Sequence, residues 1–434
     1  MKSKEEQSTP YGFIDASRSI RKLSEVCVPK DGIQTGPFGS QLHSSDYVEN
    51  GTPIITVEHL GENIIEGKNP PQVDADDVKR LIKYTLKEGD IVFSRVGSVD
   101  RRALIRSEQN GWMFSGRLLR VRPRPELVDP TYLSYFFGLP MFKSYIRSIA
   151  VGATMPSLNT NLLSDLPIIL PEISEQKVIG KTLASLDEKI RINSTLSKTL
   201  EDMAQTIFKS WFIDFDPVKA KMTGEMPTGI DSETATLFPD AMKESELGSI
   251  PFGWQVESLG SIASIYQGKY LKPIDMSPTQ DTESPNPVEG ATKVIGYSSK
   301  SSFDFNFSSV SCRGSCGFVR WISSPAWISN NLMAVYGKGE AKINYYLHYL
   351  LKSFNFESVT TGSVQGQITI SNLTSVRIIL DIKLAKKFND VIEPIHDAIT
   401  TLDKQSAAYA QIRDSLLPRL ISGELQIPKE MLAS

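Results

Sequence analysis

Arginine suits the reading of guanine, because its planar fork can donate two parallel hydrogen bonds to that base's major-groove edge, while other cations anchor phosphates. Such residues gather in a few places in this sequence. Arg95, Arg101, Arg102 and Arg106 surround Gly97, a glycine between β-rich runs that predicts a hairpin or bulge. Arg117, Arg120, Arg122 and Arg124 follow the turn pair Asn110-Gly111. Further along, Lys269, Lys293, Lys300, Arg313 and Arg320 occur near Tyr297, Trp321 and Trp327. Cations interleaved with rings predict a nucleic-acid face. Its candidate contacts are Arg95, Arg101, Arg102, Arg117, Lys269, Tyr297, Lys300, Arg313 and Arg320. A solvated surface is the bland alternative for any single one.

The whole-chain charge limits what kind of binder this can be. A net charge of −3 and pI ≈ 6.0 argue against a nonspecific, charge-driven one. They permit a specific binder with local basic faces, especially where partner subunits share the electrostatic grip. With 434 residues, 40% of them hydrophobic and 22% charged, the chain reads as soluble and globular with two domains or more. No apolar run approaches the ~20 residues of a membrane helix, and the first residues lead into no signal region, so a cytoplasmic protein without membrane contact is expected. Cys27, Cys312 and Cys316 have no metal-site spacing and predict no disulfide framework.

Several fragments imitate catalytic motifs. Asn69-Pro70-Pro71-Gln72 has most of the Asn-Pro-Pro-aromatic sequence with which amino-methyltransferases hold a flipped adenine. Gln72 replaces the stacking ring, and no glycine-rich turn for a methyl donor precedes it, so a plain turn is the better reading. Glu66-Gly67-Lys68 could end a nuclease carboxylate–lysine motif, with Asp46 as a guessed distant acid, but the tripeptide is common by chance. Gly337-Lys338-Gly339-Glu340 has the wrong spacing for a phosphate loop, and His43, His59, His348 and His396 form no metal pair or nucleophile–base set. No active site, metal site or cofactor is expected.

Two long stretches must position the binding residues. Ile179, Leu183, Leu186, Ile190, Asn193, Ser197, Leu200, Ala204, Ile207 and Trp211 recur at alternating spacings of four and three. This heptad seam predicts a helix over about Ile173 to Ile213, a rod of ~60 Å. Phe388, Ile392, Ile395, Ile399, Leu402, Ser406, Tyr409, Arg413, Leu416 and Leu420 repeat it, each 209 residues later. An apolar stripe cannot stay in water, so the rods are expected to bury their seams on each other, with Asn193 facing Ser406. Pro394 should bend the second rod.

The regions before the rods also repeat. Leu23-Ser24-Glu25-Val26 reads against Leu259-Gly260-Ser261-Ile262, and Tyr132-Leu133-Ser134-Tyr135 against Tyr346-Leu347-His348-Tyr349. Ser94-Arg95-Val96-Gly97-Ser98 reads against Ser311-Cys312-Arg313-Gly314-Ser315. The fold class is therefore α+β. Two β-rich domains are joined by two long helices packed as an antiparallel coiled coil, with a pseudo-twofold internal repeat.

Longer segments resemble a known family, the specificity subunit of type I restriction–modification enzymes. They are Leu170-Pro171-Glu172-Ile173-Ser174-Glu175-Gln176, Phe208-Lys209-Ser210-Trp211-Phe212-Ile213-Asp214-Phe215-Asp216-Pro217, Leu247-Gly248-Ser249-Ile250-Pro251-Phe252-Gly253-Trp254 and Leu416-Leu417-Pro418-Arg419-Leu420-Ile421-Ser422-Gly423-Glu424-Leu425. Asp381-Ile382-Lys383-Leu384-Ala385-Lys386 departs from the family pattern at the start of the second rod. The resemblance implies two target-recognition domains, each reading half of an interrupted double-stranded DNA sequence. It implies two modification subunits that methylate adenines with S-adenosylmethionine, and restriction subunits that translocate and cleave with ATP. The chain itself would bind neither cofactor and catalyse nothing. Glu175, Gln176 and Phe212, inside the motifs, become candidate contacts for partner subunits.

On this reading residues 1–165 form the first recognition domain, with 1–17 a loose extension. Residues 166–219 hold the central spacer helix, 220–250 a polar linker, 251–375 the second recognition domain and 376–434 the C-terminal spacer helix. The rods would act as a ruler that sets half-sites about one helical turn (~34–36 Å) apart. The alternatives are a coiled-coil scaffold that never touches DNA and a single-chain methyltransferase or nuclease.

Overall fold

Both heptad stretches are long helices, Ile173–Phe212 and Ile382–Ser422. Pro394 does not interrupt the second. Every seam residue, from Ile179 to Trp211 and from Phe388 to Leu420, is buried or half-buried. These observations come from a computed structural model that describes residues 6–39, 41–67, 69–152, 154–339, 342–362 and 366–432. Residues 1–5 of the expected extension, and Lys68 and Glu340 of the motif fragments, lie outside the described residues.

The chain divides into two compact units, each containing part of both helices. The first runs to Asn193 and resumes at Lys404; the second is Ser194–Asp403. In the first unit Ile179 and Leu183, early in one helix, share a core with Leu417, Leu420 and Ile421, late in the other. In the second, Ala204, Phe208 and Trp211, late in one helix, meet Leu384, Phe388 and Ile392, early in the other. Beginnings meet ends, so the helices run antiparallel within each unit. Polar seam residues are bonded rather than stranded. Asn193 donates to Gln405 Oε1 at 3.4 Å, a residue away from the Ser406 expected, and Ser197 donates to Asp403 at 3.3 Å.

Each unit repeats one β scaffold. In the first, Ile33–Thr35, Leu118–Val121, Ile91–Ser94, Arg102–Leu104 and Glu62–Asn63 form a sheet in that order, beside a second sheet of Met113–Phe114, Thr52–Ile55, Gln72–Val73 and Tyr47–Val48. In the second, Ala263–Gln267, Leu332–Gly337, Phe307–Ser311 and Val319–Ile322 form the larger sheet. Val294–Ser298, Asn286–Glu289 and Trp327–Ile328 form the smaller. A strand leading into each long helix pairs with an early strand of its unit, Pro167–Leu170 with Ser19–Lys22 and Arg377–Leu380 with Gln255–Ser258.

Two stretches expected to lack structure are folded, and they correspond. Glu6–Thr9 pairs with Gly12–Asp15, turning at Gly12 with φ +107° and burying Tyr11 and Ile14. Met242–Ser245 pairs with Gly248–Pro251, turning at Gly248 with φ +93° and burying Ile250. Both turns need the left-handed backbone that glycine tolerates. Residues 6–15 are therefore not a loose extension, nor is the stretch from 242 a linker. Too few buried apolar side chains anchor each hairpin for periodicity to reveal it.

Candidate nucleic-acid interface

Several cations of these clusters turn inward, where they need partners. Arg102 is almost wholly buried; Nε donates to Ser134 O at 2.8 Å and the guanidinium pairs with Glu62, which also meets Lys143 at 2.9 Å. Arg120 is fully buried against Asp31, and Arg122 bridges Asp31 at 2.6 Å and Asp90 at 2.7 Å. Burial would raise the Asp31 carboxyl, but hydrogen bonds from Arg120 and Arg122 hold it below its ordinary value. Arg101 donates to the Leu60 carbonyl. Arg320 is held by Glu289, itself buried. Arg101, Arg102 and Arg320 are thus occupied within the fold, a correction to their candidacy. Their partners lie too far along the sequence to be inferred from it.

Other candidates face outward. Arg117 is exposed in the turn between Met113–Phe114 and Leu118–Val121. Arg95 is half-buried, donating to Gly116 O at 3.1 Å with its guanidinium 5.4 Å from the Phe38 ring centre. In the second unit Arg313 and Lys269 are exposed, Lys269 standing 5.9 Å from the Tyr266 ring centre. Lys300 is exposed but paired with Asp275 at 2.9 Å, and Tyr297 is half-buried in its strand.

Arg95 and Arg313 are not counterparts. Ser94 Oγ donates to Val96 O, and Ser311 Oγ to Arg313 O. Leu158 N–H bonds Arg95 O, and Ile368 N–H bonds Cys312 O. Arg95 therefore corresponds to Cys312, and Arg313 to Val96. The two arginines thus occupy neighbouring, not equivalent, positions of the repeat. These bonds are duplicated, and the side chains beside them are not.

The three candidate partner contacts are internal. Gln176 is buried, accepting from Asp129 N–H at 3.0 Å and donating to Pro171 O at 2.9 Å. Glu175 makes a two-point ion pair with buried Arg18, at 2.5 and 2.6 Å. Phe212 packs 5.0 Å from Tyr346 and 5.5 Å from Phe388, ring centre to ring centre. These motif residues tie the helices to the recognition scaffold and leave little surface for a partner.

Two features escaped sequence reasoning. In the second unit His348 and His396 are buried beside Glu201, which takes bonds from Tyr349 at 3.0 Å and from Lys352. Tyr349 Oη lies 2.9 Å from His396 Nε2, and Ser308 Oγ 3.0 Å from His348 Nδ1. Burial pushes His396 down to about 4 and lowers His348. Burial opposes ionisation of Glu201, yet bonds from His348 and Lys352 hold its carboxyl well below the usual range. In the first unit a recess of about 610 Å³ opens beside Phe38, Tyr47, His59, Asn69 and Arg117. Among the described residues no group of three or more His, Cys, Asp or Glu is placed to hold a metal, and no helix is long and apolar enough to cross a membrane.

The chain belongs to the type I restriction modification DNA specificity domain family, whose profile it matches twice, over residues 21–202 and 251–407. It is 26% identical to the type I restriction enzyme MjaIX specificity subunit of Methanocaldococcus jannaschii, over 97% of this chain and 96% of that one. It is 25% identical to the HindI specificity subunit of Haemophilus influenzae, over 80% of this chain and 89% of that one. The fold resembles the crystal structure of the type I restriction-modification S subunit from M. genitalium, with a TM-score of 0.58, 16% identity and coverage of 94% and 96%.

Proposed function

We propose that this chain is the DNA-specificity subunit of a type I restriction–modification complex, working in the cytoplasm. It binds a bipartite, asymmetric target in double-stranded DNA and positions two modification subunits and the restriction subunits, while carrying out no reaction itself. The observation that carries this reading is the duplicated scaffold with unlike displays. Equivalent bonds at Ser94 and Ser311 fix the same stretch of backbone, which carries half-buried Val96 in one unit and exposed Arg313 in the other. Two like frames suit two like partners, and two unlike faces suit two different half-sites. Arg95 and Arg117 in the first unit, and Lys269, Lys300, Tyr297 and Arg313 in the second, are the proposed DNA contacts.

The test is DNA binding by the chain assembled with its modification subunits. Duplexes carrying the host's methylated motif should bind more tightly than duplexes with either half scrambled. Binding without sequence preference, or none, would favour a scaffold role.

A further inference from the structure

The recess in the first unit is lined by rings and polar groups that the scaffold leaves partly open. Phe38 is 52% exposed and Tyr47 37%, an uncommon display for two rings at one hollow. Arg95 holds its guanidinium near the Phe38 ring and so helps to support it. His59 is only 8% exposed, and its Nδ1 accepts the Thr56 N–H at 3.1 Å. Thr56 Oγ1 lies 2.9 Å from the same nitrogen, so Nδ1 is spent on Thr56. Nε2 has no hydrogen-bond partner among the described residues, although His59 lines the recess. Ser115 Oγ, in the same wall, is buried with no partner there either.

The Asn69-Pro70-Pro71-Gln72 run borders this hollow, yet it is not the amine cage of a methyltransferase. Pro71 O accepts the Ile54 N–H at 2.7 Å, and Gln72 Oε1 accepts the Gly51 N–H at 2.7 Å. Only the Asn69 side chain remains for a ligand, held outward on a backbone with φ +56°. Rings, the His59 imidazole, one amide and Arg117 at the margin match a flat heterocycle with a polar edge and a phosphate on its flank.

We infer that this recess receives a single base unstacked from the duplex at the half-site read by the first unit. Phe38 and Tyr47 stack on it, His59 and Asn69 read its edge, and Arg117 holds the adjoining phosphate. The inference rests on the DNA-binding reading and deepens it by naming where one base is recognised. Unstacking costs a few kcal/mol and is least for a base that is already mispaired.

Mismatch scanning tests this, using the chain with its modification subunits and no methyl donor. The duplex carries the motif found by mapping methylated adenines, and the half-site of interest is the one that Arg313→Ala leaves intact. A mismatch at one position there, other than the methylated adenine, should tighten binding by roughly tenfold. Phe38→Ala with Tyr47→Ala, both at exposed positions, should weaken binding to the matched duplex by about tenfold or more and abolish that gain. An unchanged melting temperature shows that the variant is folded. If no mismatch there tightens binding, or the double variant binds as the parent does, the base-recess inference fails while specific binding stands. If the parent shows no sequence preference at all, the DNA-binding reading fails with it.

Discussion

Arg313 is exposed, its backbone bridged to Gln367, whereas Arg102 is sealed between a helix carbonyl and Glu62. Replacing each by alanine should separate recognition from folding. Arg102→Ala leaves Ser134 O without its donor and should lower stability by about 1–3 kcal/mol, read as a lower melting temperature. Arg313→Ala should leave melting unchanged but weaken or relax one half-site by ~1–3 kcal/mol while sparing the other. Equal loss at both half-sites would contradict its assignment. The buried histidines set a pH dependence for the second unit. Their folded-state values lie below the ordinary 6.5, so the unfolded chain binds more protons as pH falls below that value. The stability they contribute is fully present above about pH 6.5 and is lost as pH falls towards 4. Glu201, also lowered, adds a loss in the same direction below its ordinary carboxyl range. Melting curves should show that loss, and His396→Phe should flatten it. The cations were visible in the sequence, but their duties were not. Arg120 meets Asp31 across 89 residues of chain, a pairing only the folded sheet creates.

The long helices were the most legible elements, because ten seam positions repeated at fixed spacing leave no other regular structure. The two hairpins were not, since one or two buried side chains in a short polar stretch carry no periodicity. Motif residues misled in another way. Glu175, Gln176 and Phe212 occur in segments that resemble the family, yet their atoms are spent on Arg18, Asp129, Pro171 and an aromatic core. Because both helices pass from one unit into the other, their length should govern the target. Four residues inserted after Ser197 and four after Leu402 add roughly one turn, ~6 Å, to each. The complex should then prefer a longer gap between half-sites in a binding selection. An unchanged gap would mean that the helices do not set it.

At the scale of the whole chain, duplication is the fact from which function follows. Two copies of one frame, including equivalent turns at Gly97 and Gly314 with φ +80° and +77°, carry different residues at their exposed positions. The repeat could be read from landmarks such as Tyr132 and Tyr346, whose hydroxyls both bond the strand leading into a long helix, at Ile169 O and Ile379 O. Which bases each face reads could not, because that depends on loops without a repeat. In the proposed role this chain alone chooses where a partner methylates. Mapping methylated adenines across DNA from cells with and without the chain tests it directly. One interrupted, asymmetric motif should lose its methylation when the chain is absent and regain it on return. The same motif methylated in both would mean that another protein chooses the site.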